Sequence, residues 1–299
     1  MTTTRSVRLL LDGLHFGEGP RWHDGRLYLS DFYDHAVKAV TMDGEVTTVV
    51  EVPNQPSGLG WLPDGRMLVV SMVDRKVLRL EPDGLVEHAD LSGIATFHCN
   101  DMVVDAHGRA YVGSFGFDLD GFVAEHGLRA ALGEPGPPRA TLARVDPDGS
   151  VHEAASGLRF PNGAVITPDG STMIVAETMG RRLSAFDVAA DGSLSNQRVW
   201  ASFDRRLPDG ICLDAEGRVW VANAAAAECV LVAGRDGGPG EVVDVVETGE
   251  RCFACMLGGP DGRDLFVVTA RTEEPEQAAA ERTGQVLVTT VDVPHAGLP

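Results

Sequence analysis

Five places along the chain put oxygen donors where the neighbouring residues are apolar. Glu18 stands between two glycines in GEGPRW. Asn100 and Asp101 are adjacent in FHCND, Asn162 follows a proline in FPNG, Asp209 follows one in LPDG, and Ser57 lies in QPSGLG. Carboxylate and carboxamide oxygens are hard donors, and a set of them facing one another suits Ca2+, Mg2+ or Mn2+. Without a cation they would repel one another or each need hydrogen-bond donors. Taken singly, each reads better as a turn residue, since Asn and Asp beside Gly or Pro favour turns. Their phase separates the two cases. The PDG triplets at Pro63, Pro168 and Pro260 fall inside a hairpin turn, whereas Pro208-Asp209 and Pro161-Asn162 open an apolar run. Other chemistries find no support. Ser57 and Ser114 lack the G-x-S-x-G setting of a nucleophile elbow. There is no phosphate-binding G-x-x-x-x-G-K-[ST] and no dinucleotide fingerprint.

A repeat positions these residues. EGPRWHDGRLYLSD, PSGLGWLPDGRMLVVS, NDMVVDAHGRAYVGS, NGAVITPDGSTMIVAE, PDGICLDAEGRVWVAN and FACMLGGPDGRDLFVVT each hold an apolar run, a turn and a second apolar run. The turn glycines Gly25, Gly65, Gly108, Gly170, Gly217 and Gly262 are spaced by 40, 43, 62, 47 and 45 residues. A tight hairpin needs positive φ, which glycine adopts freely. Further strands follow, such as AVKAVT, EVTTVV and KVLRLE, and four strands per unit of this length make a propeller blade. The spacing predicts an all-β chain, a six-bladed β-propeller forming one domain over residues 1–299. After the sixth hairpin one clear strand remains, Gln285–Val291, and the N-terminal Ser6–Asp12 has no partner in the first repeat. Pairing the two would close the ring and cover an edge. A seven-bladed ring is the alternative, with its extra blade in the 62-residue interval. The segment 116–140 reads instead as an inserted loop whose one short helical stretch is His126–Leu132. In a propeller the first strand of each blade lines the central channel, so equivalent positions converge there. These are Glu18, Ser57, Asn100 with Asp101, Asn162, Asp209, and Phe253 or Ala254.

The 299 residues carry a formal charge of −19 and 43% hydrophobic content. That balance excludes a nucleic-acid or anionic-membrane partner, and no stretch has the length of a membrane span. The five cysteines, with no signal-like N-terminus, suggest reduced thiols and a cytoplasmic protein. Cys252 and Cys255 have C-x-x-C spacing, which fits a redox pair or half a zinc site, but no second C-x-x-C accompanies them.

EGPRW, CNDMVVDAHGRAYVGS, FPNGAVITPDG and LPDGICLDAEGRVWVA together resemble the SMP-30/gluconolactonase/LRE family of six-bladed propellers, over nearly the whole chain. That family includes regucalcin-like gluconolactonases, other sugar lactonases and related phosphotriesterases. The resemblance implies one divalent metal ion, Ca2+ first and Zn2+, Mg2+ or Mn2+ as alternatives. It would be held by Glu18, Asn162 and Asp209, with Asn100 contacting metal or substrate and Asp209 as general base. Two positions depart from the family pattern. His98 stands where sugar lactonases of this family carry an Arg, and Met102 replaces the Gly of N-D-G. With Phe97, Phe115 and Phe117 nearby, the expected substrate is a lactone or ester less polar than a sugar acid lactone. His98, Asn100, Asp101, Phe115 and Phe117 would contact it.

His98 is also an alternative general base, because imidazole titrates near neutrality; a structural histidine is the competing role. His15, His23 and His107 read as surface or turn residues. Asp118 and Asp120 in FDLDG start a calcium-loop pattern, but no Glu completes it. The expected protein is a monomer or homodimer acting on a small molecule. Two other functions stay open: a lyase, isomerase or carbon–carbon hydrolase using the same cation, and a non-catalytic propeller scaffold.

Overall fold

Each repeat folds as a four-stranded antiparallel sheet, and its turn glycine takes the conformation the hairpin demands. In the computed structural model, which describes residues 5–235 and 237–297, φ at the six turn glycines lies between 67° and 86°. A Cβ is disfavoured there. Blade 1 comprises Gly17–His23, Arg26–Asp31, Ala36–Val40 and Val46–Glu51; blade 2 comprises Pro56–Trp61, Met67–Ser71, Lys76–Glu81 and Gly84–Asp90. Blade 3 is Cys99–Val104, Ala110–Ser114, Ala140–Val145 and Val151–Leu158; blade 4 is Pro161–Ile166, Thr172–Glu177, Arg182–Val188 and Leu194–Ser202. Blade 5 is Pro208–Leu213, Val219–Asn223, Glu228–Ala233 and Glu241–Glu247. Blade 6 takes Arg251–Gly258, Asp264–Ala270 and Gly284–Thr290 from the end of the chain, and its outermost strand, Arg8–Leu14, from the start. The first strands of the six blades contact one another in a closed circle.

The two ends of the chain therefore meet in one sheet. The closing pair runs antiparallel from Arg8 opposite Val288 to Leu14 opposite Gly284. It lies one or two residues from the expected Ser6–Asp12 and Gln285–Val291. Irregularities between Leu9 and Leu11 and between Asp12 and Leu14 turn Leu10 and Leu14 inward while Leu9 stays half exposed. Between neighbouring blades the apolar faces pack into one another. Close approach of the inner strands is possible where the residue after the channel position is glycine. A Cβ on Gly163 would lie 2.6 Å from the Ile211 nitrogen, and one on Gly210 would lie 2.7 Å from the Ala254 Cα.

Among the described residues there are six sheets and no seventh blade. The long interval between the third and fourth repeats holds two helices, Leu119–His126 and Leu128–Leu132, where one was expected. Asp118 caps the first by accepting the Gly121 N–H at 3.1 Å, which accounts for an acid that superficially suited a calcium loop. A second insertion joins the last two strands and contains the helix Pro275–Glu281. Sequence reading missed it, although Pro275 at the first helical position and the alanines behind it are a helix signal.

The closure yields a stability expectation. Leu14→Ala, in the buried seam between chain ends, should lower unfolding free energy by about 2–5 kcal/mol. Leu9→Ala on the same strand should change it by less than about 0.5 kcal/mol. Urea denaturation of both variants measures this, and equal effects would mean the seam does not carry closure.

Candidate functional site

The channel residues sit in β-bulges. In every blade the pairing of first and second strands slips just after the first strand begins: after Glu18, Pro56, Cys99, Pro161, Pro208 and Cys252. A bulge inserts an unpaired residue and re-aims side chains locally. It allows a polar residue to leave the alternation of an otherwise apolar strand. Glu18, Asn100, Asp101, Asn162 and Asp209 are all brought to this level and all are buried. Ser57 joins them, its hydroxyl donating to Asn100 Oδ1 at 3.4 Å. In blade 6 the register corrects the sequence reading. Cys252 lies opposite Thr269 as Glu18 lies opposite Ser30, so Cys252, not Phe253 or Ala254, occupies the equivalent position.

Three carboxyl groups thus face one another away from water. Burial pushes Glu18 well above the usual carboxylate range, and the charges of Asp209 and Asp101 push it further. Asp209 is raised well above its ordinary value by burial, then by Asp101 and Glu273. Asp101 is raised by burial and partly drawn back by the Arg21 guanidinium. Arg21 is itself buried, donating from Nη1 to the Pro20 carbonyl at 2.8 Å and from Nη2 to the Met102 carbonyl at 2.5 Å. It stands inside the EGPRW motif, yet nothing in the sequence marked it as the channel's buried cation. Asn162 donates through Nδ2 to Thr178 Oγ1 at 3.2 Å, and that hydroxyl donates to the Pro208 carbonyl at 2.8 Å. The bridge ties blade 4 to blade 5 and leaves Asn162 Oδ1 as the available acceptor. Asp101 Oδ1 and Asp209 Oδ1 are buried with no hydrogen-bond partner. Buried polar atoms are normally satisfied. Two orphaned carboxylate oxygens, with a third acid and a carboxamide nearby, offer the all-oxygen donor chemistry that fits a hard divalent cation.

A second acidic group has a different character. His15, read as a surface or turn residue, lies partly buried in the bend between Arg8–Leu14 and Gly17–His23, where it gathers its ligand atom with those of Asp31 and Asp34. The Lys38 ammonium already sits 2.7 Å from both carboxylates, so part of their charge is met from within the chain.

Aromatic residues surround the mouth above the acids. His98 is half-buried, its ring stacked on Phe97 at 4.1 Å and 6.0 Å from Phe115. Burial lowers its pKa, and its charged neighbours are Asp118 and Asp120 of the first insertion and Arg75 rather than the channel acids. Phe115 lies 4.5 Å from Phe160, the residue before Pro161-Asn162, and Phe117 packs against Phe160 and Phe122. The first insertion is therefore folded onto the rim of blades 3 and 4 through Phe117, Phe160, Ala131 and Met179. On the other side Phe16 packs against Phe253 at 4.8 Å, and Ala278 of the second insertion joins them. Arg251 lies over the Phe253 ring at 5.2 Å and pairs with Glu273.

The five thiols are free and buried. Cys252 and Cys255 face blade 5, where Cys255 Sγ lies 3.8 Å from Cys212 Sγ within the shared core. Among the described residues no helix is long and apolar enough to cross a membrane.

Residues 16–271 match the family model described as the SMP-30/Gluconolactonase/LRE-like region. The chain belongs to this family. It is 27% identical to pentonolactonase XacC of Haloferax volcanii over the whole of this chain and 97% of that protein. Among solved structures it is similar to a luciferin-regenerating enzyme, with a TM-score of 0.79, 22% identity and 97% of each chain covered. It is likewise similar to regucalcin of Agrobacterium tumefaciens, described as a calcium-binding protein, with a TM-score of 0.77, 20% identity, and 99% of this chain and 97% of that one covered.

The three raised acids carry a pH signature. A carboxyl whose folded pKa is raised keeps its proton longer folded than unfolded. Its favourable contribution is complete below the unfolded value near 4 and is lost as pH rises through the folded value. Asp209→Asn removes one of the repelling charges. In chelator-treated protein its stability advantage over wild type should grow from about pH 5 to about pH 8. Thermal melts across that range test this, and a constant difference would mean that Asp209 is not strained by its neighbours.

Proposed function

We propose that this protein is a divalent-metal-dependent hydrolase that opens a lactone, or a related ester, less polar than a sugar acid lactone. The observation that carries the reading is the ring of Glu18, Asp101 and Asp209, three buried acids with orphaned oxygens on two of them. A non-catalytic ring has no use for such a costly arrangement. Glu18, Asn162 and Asp209 would hold the cation, with Asn100 beside them. Ca2+ is the first choice because the donors are all oxygen and because the similar Agrobacterium protein is described as calcium-binding. When bound, the ion supplies a Lewis acid for the lactone carbonyl and for the negative charge that develops on its oxygen.

The remaining work falls to the chain's own groups. Asp209 has one carboxylate oxygen without a partner, so it can take the proton from the attacking water as general base. Asn100, held by Ser57, and Asp101, balanced by Arg21, orient the substrate's polar end. Phe115 and Phe117 at the rim, with the first insertion folded over them, cover its apolar part and exclude solvent. His98 faces the same insertion, and we assign it to substrate contact in place of a guanidinium. A neutral imidazole in an aromatic stack gives little purchase to a polyol. That is the reason for placing the substrate among the less polar lactones, and the pentonolactonase relative sets the sugar lactones as the comparison class.

Asp209→Ala and Glu18→Gln should each lower kcat by at least about a thousandfold and weaken cation binding, while circular dichroism stays that of the folded ring. Near-normal turnover by Asp209→Ala would overturn the assignment. His98→Arg should move the ratio of kcat/KM values towards polyol lactones by about tenfold or more, one good hydrogen-bonding contact. An unchanged ratio across a panel of sugar and alkyl lactones would place His98 outside the substrate's reach.

A further inference from the structure

The second strand of each blade ends opposite the first residue of the inner strand. Gly17 pairs with Asp31, Pro56 with Ser71, Cys99 with Ser114, Pro161 with Glu177, Pro208 with Asn223 and Arg251 with Ala270. These six terminal positions are structurally equivalent, and the residue after each inner-strand start is a channel residue. Three of the six reach back to the segment that leads into the inner strand. Asp31 accepts the backbone N–H of Phe16 at 2.9 Å and of His15 at 3.1 Å. Glu177 accepts that of Arg159 at 2.7 Å. Asn223 accepts that of Leu207 at 3.1 Å. Those segments deliver Glu18, Asn162 and Asp209. Among the described residues Ser71, Ser114 and Ala270 make no such bond, and their blades carry none of the three.

Each of the three is clamped from the third strand of its own blade. Lys38 Nζ lies 2.7 Å from Asp31. Arg182 Nε lies 2.8 Å from Glu177, which also accepts the Ser184 hydroxyl. Asn223 donates to Glu228 at 2.8 Å, and Glu228 is paired with Arg206. All three are buried, Asp31 and Glu177 completely. In blade 4 the entry segment is left-handed just before the inner strand, as it also is at Gln55 of blade 2, where φ is 65°. Phe160 has φ of 62°, a left-handed conformation that a bulky side chain adopts only when its surroundings enforce it. The Glu177–Arg159 bond on one side and the Thr178 N–H to Phe160 carbonyl bond, at 3.1 Å, on the other hold that residue in place.

We propose that Asp31, Glu177 and Asn223 are positioning residues for the cation site, each fixing the entry segment of one inner strand so that Glu18, Asn162 and Asp209 meet at the channel axis. This rests on the functional reading above. It assigns Asp31 a role in supporting that centre from outside rather than in a metal site of its own with His15 and Asp34. The physical basis is that a cation binds three donors well only if their backbones are already held. Groups behind metal ligands typically change affinity by about 10–100-fold when altered.

The test is calcium titration calorimetry on chelator-stripped protein, run below the melting temperature of every variant. Glu177→Gln, Asp31→Asn and Asn223→Ala should each weaken Ca2+ binding by about tenfold or more. Ser71→Ala and Ser114→Ala, at the same position in blades without these donors, should leave it within about twofold. A role confined to stability would lower melting temperatures without this pattern in affinity. Asp31→Asn leaves Lys38 buried, so Asp31→Asn/Lys38→Met supplies the folded alternative if the single variant does not fold. Unchanged affinity in all three positioning variants, or equal losses in the serine variants, would overturn the inference while leaving the cation site intact. Wild-type protein that binds no divalent ion at all would overturn the functional reading and this inference with it.

Discussion

The structure depends on placing like charges together in a dry place. Three carboxyl groups from blades 1, 3 and 5 share the axis of the ring, where burial raises the proton affinity of each, Asp209 and Asp101 raise that of Glu18 further, and Asp101 raises that of Asp209. Such an arrangement costs several kcal/mol unless something offsets it. Part of the offset is internal: Arg21, from the same strand as Glu18, lies against the carbonyls of the first and third blades and faces Asp101. The rest is met by retained protons or, on the functional reading proposed above, by a bound cation. A ring that only needed to be stable would fill this axis with apolar side chains.

Closure follows from that requirement. Donors arriving from separate blades keep their mutual geometry only if the ring cannot open. The pairing of Arg8–Leu14 onto Gly284–Thr290 removes the edge at which it would, because separating the chain ends would expose Leu10, Leu14 and the apolar face behind them. The bulge and the closure act at two scales. The bulge turns a side chain out of its strand's alternation, and closure fixes the distances between side chains so turned. The entry segments come between the two, held in blades 1, 4 and 5 by Asp31, Glu177 and Asn223.

Above the axis the character changes. Two helical insertions, from blades 3 and 6, pack on rings that flank the channel residues in sequence: Phe160 before Asn162, Phe16 before Glu18, Phe253 after Cys252. The same short segments therefore supply polar groups to the axis and apolar groups to the rim. Apolar side chains packed beside the buried acids lower the local dielectric and strengthen the electrostatic interactions among them. His98 belongs to this rim. It is adjacent to Cys99-Asn100 in sequence, yet its charged neighbours include two acids of the first insertion.

Much of this was legible in the sequence, for a definite reason. A propeller repeats one hairpin, a hairpin needs glycine at positive φ, and strands need alternating apolar residues. Blade number, closure and the phase of Glu18, Asn100, Asn162 and Asp209 could thus be read from spacing alone. The remainder depended on contacts between residues distant in sequence. Arg21 acquires its role only because the third blade's Met102 carbonyl lies across from it, 81 residues along the chain. Cys252 takes the channel position of blade 6 because its bulge begins there, and a bulge leaves no composition signal. The helix at Pro275–Glu281 has its signal in a proline and alanines that went unread, and its place beside Phe16 and Phe253 has no local signal at all. Asp31, Glu177 and Asn223 look alike only as polar residues ending a strand. Which backbone N–H each one reaches is decided by the fold, because hydrogen bonding depends on distance and angle, and both are set by how the strands lie together.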